Sequence, residues 1–127
     1  MKTKVAAIGL VTALFIATSP AFSHHSDAAY GTTSILLKNA TIVKVVWANP
    51  HGIVACDVKD ESGKVTRWNL EMGSPSAMEL VGWNRNSLSP GDVVTIDINP
   101  ARNGTTLGRL LRVTTTADKV LEYRAVR

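Results

Sequence analysis

The stretch KVTRWNLEMGSPSAMELVG, residues 64–82, decides the fold. Its first half alternates: Trp68, Leu70 and Met72 fall on one side, and Arg67, Asn69 and Glu71 on the other. That is the period of a half-buried strand. In the second half the pattern changes. Ser74 before Pro75 marks a helix start, because a seryl oxygen accepts from an otherwise orphaned amide and Pro at the first helical position has no amide to satisfy. Gly82 then stops the helix after about two turns. This short helix must lie between a strand that ends near Met72 and one that begins after the Ser89-Pro90-Gly91-Asp92 turn.

Working outward, residues 53–58 form a strand with Val54, Cys56 and Val58 on one face, joined to residues 64–72 through the hairpin Asp60-Glu61-Ser62-Gly63. Upstream, Asn49-Pro50-His51-Gly52 is a turn, since Pro cannot donate to a ladder and Gly permits positive φ. It ends a long β-branched stretch, residues 34–47, with Ile35, Leu36, Leu37, Ile42, Val43, Val45 and Val46. The polar break at residues 38–41 predicts a bulge near Asn39 and Ala40 that restores the inward phase. Downstream, Val94, Ile96 and Ile98 share one face of a strand over residues 93–98. The loop Asn99-Pro100-Ala101-Arg102-Asn103-Gly104 leads to a strand over residues 107–115. A last extended piece, residues 119–123, either closes an edge or pairs with the N-terminal arm.

The predicted class is all-β: a small closed Greek-key barrel of OB-fold type, with one short helix between strands three and four. An SH3-like barrel is the nearest rival and normally lacks a helix there. Closure removes the edges that would otherwise invite aggregation.

Outside the barrel, residues 34–127, the N-terminus reads differently. Lys2 and Lys4 precede an uncharged, mostly apolar run over residues 5–17, and small residues follow. This is a secretory signal layout over residues 1–23, too short for the roughly 20 apolar residues of a bilayer span. Cleavage is expected after Ser23, with Ala21 as the alternative, and no transmembrane segment afterwards. Residues 24–33 form a flexible polar arm. The expected location is the periplasm.

Length and composition set the remaining bounds. With 127 residues, 45% hydrophobic and 19% charged, one globular domain is expected and a multidomain enzyme is excluded. Leader removal takes two of the 14 basic residues and leaves all 10 acidic ones. The exported part is then only mildly basic, with Arg and Lys spread singly, which argues against a nucleic-acid partner. The single Cys56 forms no internal disulfide and points inward as an inert thiol.

Several motifs in this order, His24-His25-Ser26, Trp47-Ala48-Asn49-Pro50-His51, Trp68-Asn69-Leu70-Glu71, Gly73-Ser74-Pro75, Gly82-Trp83 and Ser89-Pro90-Gly91-Asp92, resemble a family of small secreted bacterial proteins catalogued as a domain of unknown function. The resemblance implies export and a single domain, and brings no activity, cofactor or catalytic residue. Residues 27–31 depart from the Phe-rich, more acidic arm of that family.

The histidines carry the most specific chemistry. A leader cut before His24 exposes an α-amine beside that residue's imidazole, which together chelate one metal, and His25 or His51 can add a third nitrogen. Amine and imidazole donors suit copper in its Cu(II) state, with zinc a weaker fit. Glu71 or Met72 could supply an outer ligand. Against this, histidines at a mobile terminus are often only solvated, and one after Asn-Pro often caps a backbone group. Trp47, Asn49, Glu71 and Trp83 are candidates for a ligand-binding surface beside His51, although Trp residues also pack under loops. Glu71, Glu79, Asp92 and Asp97 read as surface and turn carboxylates rather than a hydrolytic pair. The expectation is a non-enzymatic periplasmic binding protein, holding copper or another transition metal through His24, His25 and His51. A metal-free module for a small ligand or a periplasmic protein partner is the alternative.

Overall fold

The computed structural model describes residues 28–123. Along the chain run β1 (Ile35–Val46), β2 (Ile53–Lys59), β3 (Val65–Glu71), α1 (Pro75–Leu80), β4 (Val93–Pro100), β5 (Leu107–Thr115) and β6 (Val120–Glu122). β1 pairs antiparallel with β2 and β4, β2 with β3, and β4 with β5. A short parallel pairing of β3 with β5, Asn69 to Glu71 against Leu107 to Arg109, closes the five strands into a barrel. With α1 between β3 and β4, this is the expected OB-fold arrangement.

β5 serves two neighbours along one edge. Its first residues meet β3, and Arg112 to Thr114 then meet β6. The last segment therefore closes an edge and, among the described residues, does not pair with the arm.

The bulge in β1 falls where its polar break predicts. Leu37 pairs with Ile96 and Ala40 with Val94, so Lys38 and Asn39 stand against a single residue of β4. Asn39 takes up the distortion at φ 52°, a conformation Asn tolerates better than most residues. The extra residue lets Leu37, Ala40 and Ile42 all face inward. They pack with Val54, Leu70, Ile96, Ile98 and Leu110 in one core. Among the described residues no helix is long and apolar enough to cross a membrane.

Candidate functional site

Side chains on the outer surface alternate with that core. Across the closing seam the register puts Ile53 of β2 opposite Glu71 of β3, Glu71 opposite Arg109 of β5, and Arg109 opposite Asn99 of β4. An acid and a base, 38 positions apart in sequence, become neighbours through the parallel pairing alone.

The arm crosses this row. The Gly31 amide donates to the Pro100 carbonyl at 2.8 Å, the Arg102 amide donates to the Ala29 carbonyl at 2.9 Å, and Tyr30 bridges to Ala101. The Arg102 Nε donates to the Tyr30 carbonyl at 2.9 Å. Arg109 stacks over the Tyr30 ring with its guanidinium 4.9 Å from the centroid, a cation–π contact. The Tyr30 hydroxyl donates to Glu71 Oε2 at 2.8 Å. Burial, and then the adjacent Glu71 carboxylate, push the Tyr30 phenol up to about 12.

The other Glu71 oxygen faces the loop between β1 and β2. His51 Nδ1 lies 3.5 Å from Glu71 Oε1 and 3.2 Å from the Met72 carbonyl. A carbonyl can only accept, so in this contact the Nδ1 N–H is the donor. The His51 side chain is 48% exposed. Its loop is sewn to the end of β3: the Gly52 amide donates to the Gly73 carbonyl and the Met72 amide to the Gly52 carbonyl. A Cβ on Gly52 would come within 2.8 Å of Met72 Cε and 3.0 Å of the Val46 carbonyl, so the close approach requires glycine.

The expected site residues separate into three groups. His51 and Glu71 come together. Trp47 is half-buried against the core and Asn49 is exposed on the same loop as His51. Trp83, expected as a candidate on the ligand surface, is a core side chain instead: it is 3% exposed and its indole N–H donates to the Glu122 carbonyl at 3.1 Å. That bond satisfies the one polar atom of the ring and lets it bury. Met72, at 2% exposure, also faces inward, so of the two expected outer ligands only Glu71 lies on the outer surface. His24 and His25 lie outside the described residues, among which no three His, Cys, Asp or Glu side chains gather as a metal-binding group.

The remaining reactive groups are occupied locally. Asp92 Oδ2 accepts the Ser89 amide at 2.9 Å and closes its turn. Asp97 faces Arg112 at 3.8 Å, and Glu79 is exposed on α1. Cys56 is fully buried, and burial pushes its thiol up to about 11, which keeps it protonated and unreactive at neutral pH.

Tyr30, Arg102 and Arg109 belong to this site and were not expected there. One signal in the chain pointed to Tyr30: it is the only aromatic residue between Phe22 and Trp47, in an otherwise polar arm. OB barrels take ligands on the face bordered by the β1–β2 and β4–β5 loops. Here those loops carry His51 and Arg102, and the arm is bonded to Arg102 and to Glu71, the carboxylate beside His51.

A protein-family model described as "Family of unknown function (DUF6152)" matches residues 12–110. No curated protein and no solved structure matches the chain.

Proposed function

We propose a function from one premise, that the chain belongs to this family of unknown function: it is an exported periplasmic binding protein that holds copper or another transition metal through His51 and the histidines of its arm, His24 and His25. The observation that carries the reading is the fixed orientation of His51. Histidines that bind metal donate their other ring N–H to a carbonyl or carboxylate, which sets the tautomer and raises the basicity of the ligating nitrogen. His51 has this support from the Met72 carbonyl with Glu71 beside it, on a ring that is still half open to solvent.

The arm supports the reading from the other side. Tyr30 is hydrogen-bonded to the carboxylate that stands beside His51. Five residues lie between His24 and Tyr30, and a stretch of that length reaches at most about 20 Å. An N-terminal amine and imidazole with a second imidazole form a nitrogen donor set of the kind Cu(II) prefers. Chelation by the terminus needs a free amine, so it becomes available only once the leader is removed.

The test is a Cu(II) titration of protein beginning at His24, followed by calorimetry and by the electron paramagnetic resonance of the bound ion. One equivalent should bind with a nitrogen-rich spectrum. His51→Ala should weaken binding by tenfold or more, and one extra residue before His24 should do the same by blocking the chelate. Equal binding by all three proteins, or none by the first, overturns the proposal. In the second case the metal-free module for a small ligand or a protein partner takes its place.

A further inference from the structure

We infer that Tyr30 and Glu71 form a latch that seats the N-terminal arm across the barrel seam, acting as positioning residues that prepare the metal site without ligating the metal. The inference rests on the metal-binding reading for its effect on affinity, whereas the seating of the arm can be measured without any metal.

Glu71 is the joint of the latch. One oxygen takes the Tyr30 hydroxyl at 2.8 Å and the other stands 3.5 Å from His51 Nδ1. The same carboxylate therefore registers the arm against the loop that carries the proposed ligand. Arg109, its cross-strand neighbour, lies over the Tyr30 ring and prevents it from swinging outward. The backbone bonds at Gly31 and Arg102 fix the arm along its length but carry no side-chain information. The Tyr30 hydroxyl is the side-chain contact that joins the arm to the carboxylate beside His51. Both latch residues are only partly exposed, Glu71 to 23%, so water competes weakly for the bond.

An arm seated this way has already lost part of its freedom before a metal arrives. That lowers the ordering cost on binding. Linkage then requires the reverse effect: a metal that binds arm and barrel together must hold the arm more firmly on the barrel.

Two measurements separate the latch from the metal reading. Amide hydrogen exchange at Gly31 and Arg102, whose N–H groups bond across the arm–barrel contact, is followed in metal-free protein that begins at His24. Tyr30→Phe keeps the ring over Arg109 and removes only the hydroxyl. Its exchange at both amides should rise several-fold while amides of the β1–β2 ladder stay unchanged. Glu71→Ala should behave alike, and Glu71→Gln, whose amide oxygen still accepts from Tyr30, should restore protection. The second measurement is the Cu(II) titration: Tyr30→Phe should bind about tenfold more weakly, the low end of what loss of an outer-shell partner costs, with unchanged stoichiometry. Unchanged exchange in Tyr30→Phe overturns the latch whatever the metal does. Faster exchange in a protein whose parent binds no Cu(II) keeps the latch and removes the metal site it was proposed to serve. Faster exchange with equal Cu(II) affinity in parent and variant overturns the positioning role.

Discussion

Glu71 has two carboxylate oxygens, and the fold assigns each a different partner: the Tyr30 hydroxyl and the edge of the His51 ring. On an alternating strand this residue reads as the solvent-facing member of a pair with Leu70, and its side chain does point away from the core. It is nevertheless only 23% exposed, because the arm lies over it. No period or spacing in the chain announces a contact between residues 30 and 71. The consequence is chemical. Burial first, and the nearby carboxylate second, raise the Tyr30 phenol from its ordinary 10.0 to about 12. A proton held more tightly in the folded state stabilises that state below the unfolded pKa, and the contribution is lost as pH rises from about 10 through about 12. In an alkaline titration followed by phenolate absorbance, one of the two tyrosines should ionise near pH 12, and Tyr30→Phe should remove that step. Loss of the arm's contacts should accompany it, since a phenolate repels Glu71. If the late step survives in Tyr30→Phe, the hydroxyl is not where the structure places it.

α1 shows what a single element contributes and how far its sequence can be read. Six residues are too few for a helix to persist alone. Its ends are nonetheless well defined: the Ser74 hydroxyl accepts from the Ala77 amide, Pro75 opens the first turn, and Gly82 follows at φ 90°. These signals are local in sequence, and they were legible for that reason, as were the hairpin at Asp60 and the bulge at Asn39. What α1 buries was less legible. Ala77, Met78, Leu80 and Val81 offer no unique face in so short a helix. The core takes Met78, fully buried in the cluster that also holds Trp83 and Leu88, while Leu80 is left 88% exposed. Trp83 follows: its amide bonds the Met78 carbonyl, and its ring reaches the Glu122 carbonyl of β6. Met78→Ala should therefore cost about 2–5 kcal/mol in denaturant unfolding, and Ser74→Ala about 1 kcal/mol. Leu80→Ala should leave stability nearly unchanged, which separates the burial of Met78 from general helix propensity. Equal losses at Met78 and Leu80 would mean that the helix packs differently.

At the scale of the molecule, the site exists because the barrel closes. The order of strands and helix was enough to predict an OB-type barrel, but the seam was not argued residue by residue: three positions of β3 meet three of β5 in parallel, and only that register sets Glu71 beside Arg109 and brings the β4–β5 loop under the arm. Gly108 sits at the centre of the seam, paired with Leu70 on one side and Pro100 on the other. A Cβ there would stand 2.8 Å from Ile98 Cδ1, 3.2 Å from Leu70 Cδ2 and 3.3 Å from the Asn99 carbonyl. The methyl contacts could yield by rotation, whereas the carbonyl belongs to the β4 ladder and yields only if the strands part. Overpacking of this kind costs about 1–3 kcal/mol. Gly108→Val should unfold earlier by that amount. Strain at the seam should also move Arg109 against Glu71, loosening the arm at a distance, so amide exchange at Gly31 should rise although the substitution touches neither Tyr30 nor Glu71. A Gly108→Val chain with normal stability but a loosened arm would contradict this coupling, because the β3–β5 pairing that closes the barrel is also what sets Glu71 and Arg109 side by side under Tyr30.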